Sequence, residues 1–413
     1  MAPLQIAIVG AGIGGPAAAI SLARNGHHVT IYERSTDTSE VGYAFRITDN
    51  ADRCLKHLGI DTIEGGAVSS NVVKHLNQKG EVTGGFDERL DPEKAKKGSS
   101  VFAFRPALNK QLMDAAAENG AQIRLGAKIK SVDVETTTLI LEDGETVAVD
   151  LIIASDGLHS AIRSYVLDSN KYVPQCSSGH SAIRFMVLKS DAQNDPLMST
   201  LVDENAHMFA WKGDDNTRSV VVYPVEFGKE YNVAMGCPAS LTQMETSNGD
   251  AAAAVAYNHT ISYETVLNLY SDFDPKLKRL LSLADPNGFR VWPLMDMDEI
   301  PAWSRTHTVL LGDAAHPLLA FSFSGASMAI EDAVTLGVLF PGDVGKEGIT
   351  ERLKLYEEIR KPRVGVVRSE AREKARGGGS LGNKGYMEFL KGHDAVEFAR
   401  EKLVEFQERK GDT

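Results

Sequence analysis

The 413-residue sequence is poor in cysteine, with only Cys54, Cys176 and Cys237, widely scattered and without a CxxC pair. That leaves no disulfide framework or cysteine zinc site and reads as three reduced thiols of an intracellular protein. No apolar run reaches eighteen residues, so no helical membrane span is expected. Met1-Ala2-Pro3 leads directly into a strand pattern, so no secretory signal is expected and the expected location is cytoplasmic. Basic residues are the minority, 44 against 56 acidic for a formal charge of −12, which argues against nucleic acid or an anionic membrane as partner. The histidines show no ligand spacing, so no metal is expected. A P-loop, a GxSxG elbow and an internal repeat are also missing. What remains is an ordinary globular composition, 43% hydrophobic and 24% charged, in a chain long enough for two or three domains.

Glycine, by contrast, is concentrated at one place. "IAIVGAGIGGPAAAISLARNGHHVTIYER", from Ile6 to Arg34, puts four glycines between an aliphatic run and an alanine-rich segment. Leu4 to Val9 predicts a strand buried on both faces, Pro16 to Arg24 a helix ended by Asn25-Gly26, and His28 to Glu33 a second strand. In this βαβ setting Gly10 permits the tight turn, Gly12 lets the backbone approach a pyrophosphate, and Gly15 lets helix and sheet pack closely. The phosphates would sit on the positive end of the helix dipole. Glu33 ends the second strand, where a carboxylate can accept from both ribose hydroxyls and would repel a 2′-phosphate; Arg34 beside it is a further cofactor candidate. FAD and NAD are not separated by this fingerprint.

Two further motifs separate them. "SDGLHSAIR" follows an aliphatic strand from Val149 to Ala154, and "LLGDAAHP" follows another from Thr308 to Leu311. With "GAGIGG" they span residues 4 to about 370, and the set resembles the FAD-dependent aromatic hydroxylases, the single-component flavoprotein monooxygenases. The resemblance implies an α/β fold: a Rossmann-like FAD-binding domain, an inserted antiparallel-sheet substrate domain and C-terminal helices. It implies that NADH or NADPH reduces FAD, that dioxygen adds to give a flavin hydroperoxide, and that its distal oxygen passes to an electron-rich ring. By the same resemblance Glu33 matches the ribose-binding acid, Arg105 a contact to the ribityl-phosphate region, and Asp313 a partner of ribityl hydroxyls. Asp156 is implied to serve FAD and nicotinamide, Arg163 to hold its loop, Ala44 to lie near the flavin, and Gly325 and Ala326 to present helix N–H groups to it. Arg46 sits where a basic residue could cover the flavin.

Residues 172–300 alternate in polarity as an antiparallel sheet does. Arg184 and Tyr223 are its expected catalytic residues, Arg184 on the resemblance to arginines that steady a phenolate; their plain reading is a strand-edge arginine and a core tyrosine. The expected domains are 1–171 with 301–340, 172–300, and a helical region 341–413. The last is read as a helix from Glu351 to Arg376 interrupted at Pro362, a flexible "GGGS" joint at 377–380, and another helix from Tyr386 to Arg409. One segment departs from the family pattern. "AFSFSGA" has Ala320 for a proline, Phe323 for a glycine and Ser324 for a glutamine. Phe323 cannot take positive φ cheaply, so either the loop differs or the ring enters the pocket. A non-oxygenating flavin oxidoreductase on the same scaffold therefore stays open as an alternative. The expected partners are a small-molecule substrate, dioxygen and NAD(P)H, with the chain a monomer or homodimer.

Overall fold

The computed structural model describes residues 2–37, 43–87, 100–198, 208–242, 258–377 and 384–411. The first strand, β1 (Gln5–Val9), is central in a parallel sheet, between β12 (Leu151–Ala154) and β2 (His28–Tyr32). Ile6, Ala7 and Ile8 are buried, as a strand covered on both faces requires. β8 (Gln122–Arg124) extends the sheet beyond β2; β20 (Thr308–Leu310) and the antiparallel β19 (Ser304–Arg305) extend it beyond β12. All three strands that precede the glycine, SDG and GD motifs thus end on one sheet edge. That is where doubly wound sheets bind ligands.

Helix α1 (Gly14–Arg24) joins β1 to β2, and α8 (Gly325–Leu339) packs against it. α8 is apolar on nearly every side and almost wholly buried, so it is a core helix. The amide of Asn25 donates to the Gly337 and Phe340 carbonyls at 2.7 and 2.8 Å, satisfying orphan acceptors at its C-terminus.

A second sheet has eight strands in the order β17 (His259–Thr260), β18 (Arg290–Pro293), β13 (His180–Leu188), β16 (Glu230–Pro238), β15 (Ser219–Val225), β14 (Met208–Lys212), β5 (Val72–Leu76), β6 (Val82–Asp87). Two of its strands come from residues 72–87, inside the segment expected to belong to the first domain. They join through a parallel pairing of β5 with β14. One face of this sheet is sealed by α6 (Tyr263–Leu269) and α7 (Pro275–Ser282) over Ile183, Phe185, Val233 and Val291. The opposite face meets a small sheet of β3 (Ala44–Ile47), β7 (Val101–Phe104) and β4 (Val68–Ser69).

The C-terminal region does not form a core of its own. Leu353, Tyr356 and Val364 of α9 (Ile349–Ala375) lie in the same buried cluster as β1 and α8. The expected interruption at Pro362 does not occur: α9 runs through it for 27 residues. Proline removes one N–H donor there, but Arg360 and Arg363 clamp both sides onto Glu331, at 2.6 and 2.7 Å. The single helix expected over 386–409 is divided into α10 (Lys384–Gly392) and α11 (Ala395–Gly411). Asp394 divides them, accepting from the Val396 and Glu397 N–H groups as an N-cap. Gly377 apart, the GGGS joint lies outside the described residues.

Two histidines, His27 in this core and His393 half-buried beside it, set an acid limit. His27 is buried; its Nδ1 accepts the Leu4 N–H at 3.2 Å and Nε2 faces the Phe340 carbonyl at 3.0 Å, so the neutral ring is the one that fits. Burial pushes its pKa below the ordinary 6.5, and burial with Arg363 and Arg360 nearby takes His393 down to about 4, against the pull of Glu331. Unfolding lets both take up protons, so their stabilisation is whole above about pH 6.5 and is lost as pH falls toward 4. The thermal midpoint is expected to fall across this window, at under about 1.4 kcal/mol per pH unit per histidine because water reaches part of His393. A midpoint flat from pH 7 to 4.5 would remove this account.

Candidate functional site

The three motif strands and the face of the eight-stranded sheet enclose a cavity of about 310 Å³. Gly12, Ile13 and Gly14 line it from the start of α1, Arg105 from the start of α3 (Arg105–Glu118), and Gly325 and Ala326 from the start of α8. Three helix N-termini thus converge on one space. In a chain with a formal charge of −12, this gives the cavity a local bias toward anions. Asp313, Ser155 and Gly157 complete this side, and Tyr43, Ala44, Arg184 and Trp292 face it.

Each fingerprint glycine has its own geometric reason. Gly10 has φ +102°, and a Cβ there would lie 2.4 Å from the Ser155 carbonyl oxygen. At Gly15 a Cβ would lie 2.1 Å from the Gly10 carbonyl oxygen. At Gly12 it would meet only the Arg105 guanidinium, at 3.7 Å, so glycine here keeps open space rather than relieving a clash. That hollow, ringed by helix N-termini, fits a dinucleotide phosphate.

Several supports were not foreseen from sequence. Ser155 Oγ donates to the Val9 and Gly10 carbonyls, and Asn109 Nδ2 to the Ala11 carbonyl at 2.7 Å. Glu33 Oε2 accepts the Ala11 N–H at 2.8 Å, tying the glycine turn to the end of β2. Arg34 is exposed and outside the cavity, near enough to His159 to help lower that histidine's pKa, after burial and Arg163.

Asp156 is also outside the lining. Its Oδ2 accepts from the N–H groups of Ala161 and Ile162, so it caps α4 (Ile162–Leu167), and burial raises its pKa. Arg163 donates to the carbonyls of Leu158, Asp313 and Ala314, fastening the SDG loop to the GD loop. Asp313 opens to the cavity, yet protein encloses it on the longer scale. Burial raises its carboxyl pKa, against the pull of His316, Arg105 and Arg163. Behind it Asp332 Oδ2 accepts from the Gly312 N–H at 3.0 Å and lies 2.6 Å from His316 Nε2.

The two expected catalytic residues part company. Cross-strand pairing puts Arg184 level with Ala234 and Val221, and Tyr223 level with Asn232 and Met186, so both stand on the cavity-side face. Arg184 lines the cavity. Tyr223 does not: it is 3% exposed, stacked on Phe102 at 4.2 Å, and its O–H donates to the Ala44 carbonyl at 2.8 Å. Burial pushes the phenol up to about 12. Its plain reading as a core tyrosine fits this placement. With Asn232, whose Oδ1 accepts the Ala44 N–H at 3.2 Å, it fixes both backbone groups of a cavity residue. Tyr223 is a positioning residue by this geometry. Arg46 lies two residues beyond Ala44 on β3 and does not line the cavity.

Phe323 meets neither expectation drawn for it. Its backbone keeps the left-handed region, φ 52° and ψ 28°, and its ring is not among the cavity lining. This conformation costs a non-glycine residue about 1–2 kcal/mol. The turn is held by the Phe323 N–H on the Ala320 carbonyl at 3.0 Å and by Ser324 Oγ on the Ser322 carbonyl at 2.8 Å. Ala320, by contrast, does line the cavity. Among the described residues no group of three or more His, Cys, Asp or Glu is placed to hold a metal, and no helix is long and apolar enough to cross a membrane.

Comparison with known proteins agrees with this architecture. The FAD binding domain family matches residues 3–371. Hispidin-3-hydroxylase of Neonothopanus nambi is 30% identical over 386 residues, 90% of this chain and 88% of its own. 3-Hydroxybenzoate 6-hydroxylase of Klebsiella oxytoca is 27% identical over 384 residues, again 90% and 88%. A salicylate hydroxylase substrate complex superposes with a TM-score of 0.77 over 97% of this chain and 98% of its own, at 21% identity. CtdE in complex with FAD and a substrate superposes at 0.83 with the same coverage and 20% identity; these two likenesses concern the fold. The chain therefore belongs to the FAD-dependent aromatic hydroxylases, the single-component flavoprotein monooxygenases.

Proposed function

We propose that this protein is a monooxygenase that hydroxylates an aromatic or electron-rich cyclic small molecule, using NADH or NADPH and dioxygen. The observation that carries this is one cavity in which dinucleotide-binding loops face a wall bearing Arg184, Tyr43 and Trp292. Relatives whose names state hydroxylation of hispidin and of 3-hydroxybenzoate support the reading. Glu33 would hold the adenosine ribose, Arg105 and the N-termini of α1 and α3 the phosphates, and Asp313 the ribityl hydroxyls. Ala44, Gly325 and Ala326 would border the ring system. Bound FAD supplies the redox chemistry with NAD(P)H and dioxygen.

The chain's own part is to orient the substrate, exclude water and set its protonation. A guanidinium beside a phenolic oxygen favours the phenolate, which makes the ring a better nucleophile; one pKa unit is about 1.4 kcal/mol. Arg184 is the residue placed for this. We also place the protein in the cytoplasm as a monomer or homodimer, a reading that rests on its three free cysteines for the compartment.

The test is a phenol panel assayed for NAD(P)H oxidation and for oxygen-18 from dioxygen in the product. Oxidation without labelled product from any substrate would favour the non-oxygenating alternative. The protein is expected to purify yellow, with Glu33→Arg and Asp313→Ala each weakening FAD retention about tenfold or more, the cost of a charge-assisted hydrogen bond. Full flavin occupancy in both variants would sink these assignments.

A further inference from the structure

Trp292 and Pro293, which end β18, and Leu294 and Met295, which follow them, line the cavity as one continuous stretch. Leu294 is tied to the eight-stranded sheet, its N–H donating to the His180 carbonyl at 2.9 Å. Asp296, the next residue, leaves the lining and is 1% exposed. A buried carboxylate needs partners, and this one is held from behind the wall. Its Oδ2 accepts from Arg372 Nε at 2.6 Å and its Oδ1 from the Ser177 hydroxyl, while its backbone exchanges hydrogen bonds with Gln175 at 2.8 and 3.0 Å. Arg372 shares one face of α9 with Lys361 and Arg368, at spacings of seven and four residues. Lys361 Nζ donates to the Pro301 carbonyl at 2.9 Å, Arg368 stands 3.6 Å from Glu299, and Arg372 Nη1 donates to Asp298 at 2.7 Å. Residues 296–301 are thus strapped along α9, directly beyond the stretch that faces the cavity.

We propose that Leu294 and Met295 set the size limit of the substrate chamber, and that Arg372 is the positioning residue that fixes this limit through Asp296. The side chains of Leu294 and Met295 are apolar, so what they impose on a ligand is volume. In an apolar pocket one methylene more or less changes discrimination about 10–200-fold. Met295 and Asp296 are consecutive, so the carboxylate cannot shift without carrying the thioether side chain with it. With Arg372 removed, the buried carboxylate is stabilised by moving toward water, and the wall retreats from the cavity. The ligand class that benefits is the fused, two-ring aromatic over the single ring. The inference rests on the proposed reading of the cavity as the substrate chamber of a hydroxylase.

Calorimetric titration of the FAD-loaded protein, without NAD(P)H, tests it with benzoate and 2-naphthoate, which carry the same anionic group on one ring and on two fused rings. Arg372→Met is expected to shift the ratio of the two Kd values tenfold or more toward the two-ring acid, with benzoate's own Kd held within about threefold and the flavin retained. Arg372→Lys should stay within about threefold of the wild-type ratio, because its ammonium still pairs the Asp296 carboxylate. Asp298→Ala removes only the exposed partner of Arg372 and should leave the ratio within about twofold. Met295→Ala shortens the wall itself, so it should move the ratio the same way, and adding Arg372→Met to it should change the ratio by less than about threefold. A ratio that Arg372→Met leaves unmoved overturns the proposal, even where the thermal midpoint falls. So do both acids weakened alike, flavin lost in place of the shift, full additivity of the two substitutions, or a wild-type protein that binds neither acid. A shifted ratio in a protein that hydroxylates no phenol would refute the proposed function and leave the size limit standing. Hydroxylation of phenols with an unmoved ratio would refute the size limit and leave the function standing.

Discussion

Arg360→Met is expected to lose about 3–5 kcal/mol of stability, the cost of removing one partner from a buried ion pair. Arg360 is fully buried and donates to Asp332 through Nε at 2.7 Å, to Glu331 through Nη1 at 2.6 Å and to the Met328 carbonyl at 3.2 Å. Burial alone would push both carboxyls up. Arg360 and Arg363 bring Glu331 down to about 2, and His316 and Arg360 do the same for Asp332. Without Arg360 the two buried carboxylates are left with the Arg363 guanidinium on Glu331 and the His316 ring on Asp332. The thermal midpoint should drop by several degrees. Arg360→Lys should fall between wild type and Met, because one ammonium cannot direct donors to three acceptors.

The same variant bears on the site. Asp332 holds the Gly312 N–H, and Gly312 begins the turn that carries Asp313 into the cavity. Arg360→Met is therefore expected to lower FAD occupancy as well as the midpoint. A midpoint within about 1 kcal/mol of wild type, measured by thermal and denaturant unfolding, would show that the network is not what joins α9 to α8.

What the sequence disclosed follows from distance along the chain. The β1, α1, β2 unit was legible because its strand, turn and helix signals fall within thirty residues, although part of what constrains Gly10 and Gly15 is Ser155, far along the chain. The role of Pro362 was not legible, because the residues that hold α9 straight across it lie on α8. Strand polarity placed Arg184 and Tyr223 on one face, and they share it. It could not show that Phe102 of a separate small sheet would cover the Tyr223 end and leave the Arg184 end open. The hairpin of β5 and β6 was missed for the same reason, since its partner β14 lies more than a hundred residues away.

Gly15→Ala and Gly12→Ala should separate folding from cofactor retention, although each adds one methyl group to the same motif. At Gly15 the new Cβ would stand 2.1 Å from the Gly10 carbonyl oxygen and 2.7 Å from Ser155 Oγ. Neither can move without breaking something: Gly10 is already at φ +102°, and Ser155 Oγ donates to the carbonyls of Val9 and Gly10. Overpacking at such a site costs about 3 kcal/mol or more, so the apoprotein midpoint should fall sharply and FAD be lost with it. At Gly12 the new Cβ meets only the far end of Arg105 at 3.7 Å, an ordinary contact. The apoprotein midpoint should stay within about 0.5 kcal/mol of wild type, as it does for substitutions away from packing. FAD affinity should nonetheless fall tenfold or more, because the methyl group occupies the space the phosphates need and each factor of ten is about 1.4 kcal/mol. Midpoints of the stripped proteins and flavin titrations of the same preparations decide between the outcomes. If Gly12→Ala binds FAD as wild type does, Gly12 is not where the dinucleotide approaches the chain, and the cofactor assignment of this loop is wrong.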